Sequence, residues 1–162
     1  MKMVIYTTGD NQHGMGHIVR SIVLARKLEE MEVYCRFVSV ENTPGASRLS
    51  QAQRPVNMIA DECEAAEYLS ACCDSSDAIL IDIEGGPTHE ILRAARRSYR
   101  KVISLGAAWS FPFTASAEID RLVDLQIYQS KLPLKNGGAK TIRGEEYMIL
   151  GEGYAEAAGR FD

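Results

Sequence analysis

The stretch Gly14-Met15-Gly16-His17 decides the fold of this chain, because it joins a strand pattern to a helix pattern. Residues 3–7 before it form a short apolar run, typical of a buried parallel strand. Residues 18–31 after it carry apolar side chains at helical spacing, with charged side chains on the opposite side. The stretch therefore predicts a strand, a tight turn and an amphipathic helix.

The two glycines of the turn suit contact with a ligand. Gly14 and Gly16 lack a Cβ atom, so the backbone can adopt positive φ there and a ligand can approach the main chain closely. The helix that follows has unpaired N–H groups and a partial positive charge at its start. We expect the turn to bind an anionic or strongly polar group, with Met15 between the glycines as part of the same surface.

His17 stands at the start of this helix. The positive helix end disfavours a second positive charge, so we expect a neutral imidazole near pH 7, the form that a general base needs. A histidine at a helix start is also common as a simple polar residue of the first turn. Spacing alone leaves both interpretations open.

The rest of the chain alternates between strand and helix patterns. Further strands are predicted at 33–40, 56–60, 77–82, 101–105, 123–128 and 147–150, and helices at 46–53, 62–73 and 87–98, the last with Pro87 in its first turn. An apolar loop is expected at 106–117 and a lysine- and glycine-rich loop at 135–140. This alternation predicts an α/β fold, a Rossmann-like three-layer sandwich with a mostly parallel sheet and helices on both faces.

Length and composition limit the function classes. The 162 residues suit one domain, which we place at 1–150, with 151–162 as a tail or linker. With 18 basic and 22 acidic residues, no positive excess points to nucleic acid. The four cysteines show no CxxC spacing, no residues have metal-ligand spacing, and no cofactor is expected. No leader precedes the first strand and no apolar run reaches the roughly 20 residues of a membrane span, so we expect a cytoplasmic protein.

Several polar side chains stand where strands or the first helix meet the predicted ligand crevice. Ligands bind outside the carboxyl ends of parallel strands, where the loops after strands one, four, five and six converge. Arg20 can share a helix face with His17, although it could instead be a surface ion pair. Asp82 and Glu84 could bind sugar hydroxyls or transfer protons, or else cap a helix or line a solvated rim. The predicted substrate-binding residues are Gly14, Met15, Gly16, Arg20, Asp82 and Glu84, with His17 as the catalytic residue.

The turn does not match the two common nucleotide-binding fingerprints. The dinucleotide motif Gly-x-Gly-x-x-Gly would need a third glycine, and Val19 stands in its place. The P-loop needs Gly-Lys followed by Ser or Thr, which the turn lacks. Neither NAD nor P-loop chemistry is predicted.

The sequence from Gly14-Met15-Gly16-His17-Ile18-Val19-Arg20-Ser21 through Leu24-Ala25-Arg26-Lys27-Leu28 resembles the opening of the nucleotide-sugar hydrolases of pseudaminic acid biosynthesis. It is also similar to the spore-coat polysaccharide proteins and, more distantly, to the N-terminal half of the lipid II-forming N-acetylglucosaminyltransferase. The resemblance continues weakly at 82, 123–129 and 144–150. Only the first motif is specific.

This resemblance implies a glycosyltransferase-B architecture, in which two Rossmann-like domains enclose the active site. In the hydrolase, water attacks the anomeric carbon of a UDP-linked deoxy amino sugar with inversion and without a metal. The residue that matches His17 is thought to activate the water, the glycine turn lies against sugar and phosphate, and the second domain makes most nucleotide contacts. The implied partners are therefore a UDP-sugar and a C-terminal nucleotide-binding domain or partner subunit.

Three departures from the family pattern keep other functions open. The family has a tyrosine at the position of Glu84 and two aspartates where this chain has Leu105-Gly106, and the chain ends about where the family's linker would begin. The favoured prediction is the N-terminal half of a UDP-sugar hydrolase or glycosyltransferase. The alternatives are a non-catalytic domain that binds a sugar or sugar phosphate, and a protein-interaction domain that uses the aromatic residues of 109–113.

Overall fold

A computed structural model describes residues 1–11, 14–71, 76–83, 88–106, 121–128, 140–143 and 149. In these residues the strands are β1 (Lys2–Thr7), β2 (Tyr34–Val40), β3 (Val56–Ile59), β4 (Ala78–Asp82), β5 (Lys101–Gly106), β6 (Leu125–Tyr128) and β7 (Lys140–Arg143). The helices are α1 (Gly16–Glu30), α2 (Pro44–Gln51), α3 (Ala65–Ala71) and α4 (His89–Ser98), with a 3-10 turn at Glu62–Glu64 before α3.

The seven strands form one sheet in the order β3-β2-β1-β4-β5-β6-β7. Every neighbouring pair is parallel. From β1 the chain builds outward to β2 and β3, and then returns to β4 on the other side of β1. The strand order therefore reverses between β1 and β4, and such a switch point opens a ligand crevice at the carboxyl ends of the strands.

Alternating side chains of the sheet pack against helices on opposite faces. Met3 and Ile5 of β1 belong to a buried cluster that includes residues of α1 and α2. Val4 and Tyr6 belong to a second cluster, with residues of α3 and α4. This period of two places one helix layer on each side of the sheet. The predicted α/β, Rossmann-like three-layer sandwich is confirmed.

The seventh strand differs from the prediction. A loop was predicted at 135–140 and a strand at 147–150, whereas the structure has β7 at Lys140–Arg143. The glycines and lysines before residue 140 favoured a loop, but Thr141 and Ile142 are β-branched and pair with β6. Of 147–150, only residue 149 is described, and it lies outside regular structure.

Two element boundaries also differ from the prediction. Gly106 is the last residue of β5 and pairs in register with Tyr128, so the loop predicted to start at Gly106 begins after it. The remainder of that loop, 107–117, lies outside the described residues. Helix α4 begins at His89, and the side chain of Thr88 caps it by accepting a hydrogen bond from the Ile91 N–H at 3.3 Å. The helix therefore starts two residues after Pro87, because a threonine cap defines its first turn.

Asp124 ties the starts of β5 and β6 together, at the edge of the sheet opposite the switch-point crevice. Its Oδ2 accepts hydrogen bonds from the Val102 N–H at 2.9 Å and from Arg96 Nη1 at 2.7 Å, and its Oδ1 accepts one from Lys101 Nζ at 3.1 Å. Burial alone would raise the pKa of Asp124, but the hydrogen bonds from Val102 and Lys101 and the charges of Arg96 and Lys101 lower this pKa below its usual value.

We predict that Asp124→Asn lowers the free energy of unfolding at pH 7 by about 1 kcal/mol, because the side chain is partly exposed. Since the pKa is lower in the folded state, the carboxylate stabilises the fold above the unfolded-state pKa of about 3.9, and this stabilisation is lost as the pH falls through the folded-state pKa. Urea unfolding of the wild type and of Asp124→Asn at pH 7 and at pH 3 measures the loss of unfolding free energy at each pH. Glu41→Gln, at an exposed position, is the control. An equal loss at both pH values would contradict the account.

Candidate functional site

The chain makes a tight turn between β1 and α1. The Gly14 N–H donates a hydrogen bond to the Asp10 carbonyl at 2.9 Å, which closes the turn. Gly14 has φ of +85°, in the left-handed region that favours glycine. Gly16 does not share this conformation: it is the first residue of α1, and Gly14 is the only glycine with positive φ among the described residues. Of the two glycines, only Gly14 therefore has the predicted positive φ.

A backbone contact that was not predicted from the sequence holds the back of the turn. The Gly45 N–H at the start of α2 donates to the Gly9 carbonyl at 3.0 Å. A Cβ atom on Gly45 would lie 2.6 Å from the Gly9 carbonyl oxygen, and one on Gly9 would lie 2.7 Å from Cγ1 of Ile18. Gly45 needs glycine because the backbone of Gly9 lies so close, and Gly9 because the Ile18 side chain does.

The front of the turn has the opposite character. A Cβ atom on Gly14 or on Gly16 would meet no described atom within 4 Å. Met15 is the N-cap of α1 and makes no side-chain capping bond, and the first turn of α1 contains no acidic residue. Within the described part of the chain, open space therefore faces a helix start whose positive end is not neutralised by its own helix.

Behind this opening lies a polar cluster between α1 and the end of β4. Asp82 is the last residue of β4, and the alternation that places Leu80 in the cluster under α1 directs Asp82 to the same helix. The helix contributes His17, Arg20 and Ser21, which share one face because they are spaced by three and four residues. The exposed fractions of the side chains are 0% for Asp82, 7% for His17 and 11% for Arg20.

The carboxylate of Asp82 contacts all three helix residues. Its Oδ1 lies 2.7 Å from Nδ1 of His17 and also accepts a hydrogen bond from Nη2 of Arg20. Its Oδ2 accepts hydrogen bonds from Nε of Arg20 at 2.7 Å and from Oγ of Ser21 at 3.0 Å. A carboxylate has about four acceptor sites. Each oxygen therefore has two partners, and the guanidinium balances the buried charge.

The structure thus brings together three of the predicted site residues, His17, Arg20 and Asp82. Glu84 lies outside the described residues. The alternatives for Asp82, a helix cap or a solvated rim, are wrong, since this side chain is fully buried and bonds to side chains of α1. The alternative for Arg20 was a surface ion pair. Arg20 does form an ion pair with an acid, but this pair is largely buried. Gly14 and Gly16 are exposed and Met15 is half-buried.

Ser21 is the member of this cluster to which the sequence analysis gave no role. Its hydroxyl is buried and donates to Asp82. The signal was present: Ser21 follows His17 by four residues, so it lies on the face that His17 and Arg20 share. A buried polar side chain on that face needs a partner across the interface. A bond from Ser21 to the end of a neighbouring strand was therefore predictable from the sequence.

The described residues also bear on metal binding and on membrane spans. No group of three or more histidine, cysteine, aspartate or glutamate side chains in that part of the chain could hold a metal ion. Within the same residues, no helix combines the length and the apolar character needed to cross a membrane.

No protein-family model matches the chain, and neither does any curated protein. Solved structures do match. MurG of Acinetobacter baumannii has a TM-score of 0.58 and 14% identity, over 88% of this chain and 45% of its own length. HepE of Anabaena in complex with UDP has a TM-score of 0.53 and 15% identity, over 81% and 38%.

Both of these structures have the glycosyltransferase-B fold, so the predicted architecture, a Rossmann-like half of that fold, is confirmed. At these identities the likeness shows the fold alone. The chain spans less than half the length of either protein.

We predict that the Asp82 cluster contributes strongly to stability. Asp82→Ala removes the buried carboxylate that pairs with Arg20 and should cost about 3–5 kcal/mol of unfolding free energy. Ser21→Ala removes one hydrogen bond and should cost about 1–2 kcal/mol. Chemical denaturation measures both, with Asp61→Ala as a comparison that removes an exposed carboxylate cap of the 3-10 turn. Similar small losses for Asp82→Ala and Asp61→Ala would show that the cluster is not a buried, coupled network.

Proposed function

We propose that this chain is the N-terminal, sugar-side half of an enzyme that breaks the bond between UDP and the anomeric carbon of a nucleotide-linked amino sugar. The observation that carries the proposal is the combination of an open glycine turn, an uncapped α1 start and His17 in the first turn of that helix. The glycosyltransferase-B fold supports it, as does a similar structure that was solved with UDP. The amino-sugar preference rests on the sequence resemblance at residues 14–21.

In this proposal residues 1–150 form the sugar-side domain and residues 151–162 lead toward a nucleotide-binding half. That half is either a further domain or a partner subunit. The glycosyltransferase-B architecture supports this division, because its active site lies between two Rossmann-like domains. Catalysis then depends on both halves, since water, sugar and base must be held together. The protein would work in polysaccharide biosynthesis in the cytoplasm.

The proposed reaction is a displacement at the anomeric carbon. His17 accepts a proton from a water molecule while the water oxygen forms a bond to that carbon. The bond from the carbon to the phosphate oxygen breaks, and its electron pair leaves with UDP. The products are UDP and a sugar with a hydroxyl group of inverted configuration. The positive end of α1 would stabilise the charge that develops on the departing phosphate. In a transferase an acceptor hydroxyl would replace the water.

Gly14, Met15 and Gly16 are proposed to contact the sugar and the phosphate through the backbone. The positive φ of Gly14 already favours glycine at that position. No described atom would obstruct a Cβ at Gly16, so the packing of the described residues does not explain a glycine there, whereas close approach of a ligand does. Glu84, which follows β4 by two residues, stays a proposed sugar contact from its sequence position alone.

A non-catalytic domain that binds a sugar phosphate is the second candidate. Its support comes from Leu105, a fully apolar residue beside Asp82 at the carboxyl end of β5, where the resembling family has a carboxylate. Loss of an acid at this edge of the sheet removes a group that could hold sugar hydroxyls. Such a domain would bind the ligand at the same turn and release no UDP.

We predict that His17→Asn lowers UDP release by about 10²–10⁴-fold, because the asparagine amide can still donate to Asp82 but offers no base. The assay uses the native protein, or this chain together with its nucleotide-binding half, and a UDP-linked amino sugar. His89→Asn is the matched control, since His89 is an exposed residue of α4 on the opposite face of the sheet. Turnover that survives His17→Asn would remove the base assignment. Binding without turnover in the wild type would establish the second candidate.

We also predict that Gly16→Ala weakens binding of the UDP-sugar by about 10-fold or more without loss of stability. The added methyl group meets no described atom but would occupy the space proposed for the ligand. A titration followed by amide chemical shifts of residues 14–20 gives the affinity, and thermal unfolding gives the stability. Ser47→Ala, at an exposed position of α2, is the control. Unchanged affinity in Gly16→Ala would place the ligand elsewhere.

A further inference from the structure

We infer that Asp82 is a positioning residue: it fixes the His17 ring as the tautomer with the proton on Nδ1, and Arg20 and Ser21 hold Asp82 in place for that task. The inference rests on the proposed role of His17 as the base. It changes the roles that the sequence predicted for Asp82 and Arg20, which were contacts to the substrate.

Asp82 has no acceptor site left for a substrate. Its two oxygens already have four partners from α1, two on each oxygen, and its side chain has no exposed surface. Arg20 directs Nε and Nη2 at the two oxygens of Asp82, so these donors bind the carboxylate in a bidentate pair. Both side chains therefore support the His17 ring from the interface between α1 and β4.

The contacts of Nδ1 of His17 favour one tautomer of the ring. Nδ1 lies 2.7 Å from Oδ1 of Asp82 and 2.8 Å from Nη2 of Arg20. If Nδ1 carried no proton, its lone pair would face a carboxylate oxygen at 2.7 Å, which is repulsive. With a proton on Nδ1 the same distance is that of a charge-assisted N–H···O hydrogen bond. Arg20 already directs its fork at both carboxylate oxygens, so it is not the principal partner of the ring.

The selected tautomer is the useful one for a base. When Nδ1 carries the proton, the lone pair of the neutral ring is on Nε2. Nε2 is on the far side of the ring from Asp82. In free histidine the opposite tautomer predominates, so a partner at Nδ1 must make the selection. Arg20 contributes because its charge balances Asp82, so the carboxylate orients the ring while the cluster remains close to neutral.

The test is nitrogen NMR of the histidine rings in the full 15N-labelled chain, at a pH where the rings are neutral. We expect Nδ1 of His17 to resonate as a protonated nitrogen and Nε2 as an unprotonated one. Asp82→Asn presents an amide donor to Nδ1 and should reverse this pattern. Asp124→Asn, the same change at the other edge of the sheet, should leave it intact. His17→Asn identifies the signals among the three histidines.

The kinetic counterpart is a loss of kcat on the order of 10²–10⁴-fold in Asp82→Asn, with KM nearly unchanged, because the ring would present the wrong nitrogen. A wild-type ring with the proton on Nε2 would overturn the inference, even if Asp82→Asn failed to fold. An unchanged tautomer in folded Asp82→Asn would also overturn it and leave Asp82 with a structural role only. A proton on Nδ1 together with UDP release that survives His17→Asn would instead refute the proposed role of His17 as the base, and Asp82 would then orient a ring that takes no part in the reaction.

Discussion

The buried carboxylate of Asp82 is the constraint on which the site depends. A charge at the carboxyl end of a core strand, with no exposed surface, costs several kcal/mol unless it is paired and hydrogen-bonded. The first turns of α1 supply that compensation through Arg20, Ser21 and His17. The same bonds fix the distance and rotation of α1 against β4. The helix start, and any ligand that it binds, is therefore placed at the point where the strand order reverses.

The turn that leads into α1 must deliver the helix to this position, and two kinds of glycine make that possible. Gly14 supplies a positive φ, Gly9 leaves room for the Ile18 side chain of α1, and Gly45 allows the start of α2 to approach the Gly9 carbonyl. The back of the turn is therefore closely packed, and the front is open among the described residues. A closely packed back and an open front suit the backbone binding site that we propose for a sugar or phosphate.

The sequence predicted the parts of this arrangement that depend on local pattern. The strand, turn and helix at residues 3–31 follow from hydrophobic period and glycine placement, and the approach of Asp82 to His17 follows from the convergence of parallel strands at one edge. The contact of Gly9 with Gly45 was not predictable, because it depends on where α2 lies in space. The burial of Arg20 was missed because a charged residue on an amphipathic helix usually faces water. Strand β7 was missed because its pairing with β6 outweighs the polar ends of the segment.

The fold alone does not identify the reaction, since one fold supports many chemistries, so the function must be argued from the site. The likeness to glycosyltransferase-B structures shows the architecture, and the cluster around Asp82 contains a histidine whose Nδ1 contacts a buried carboxylate. The most direct test is to incubate the native protein with a UDP-linked amino sugar in water enriched in oxygen-18 and to analyse both products by mass spectrometry. Water attack at the anomeric carbon predicts one heavy oxygen in the sugar and none in UDP. Heavy oxygen in UDP, or no UDP at all, would contradict the proposed reaction.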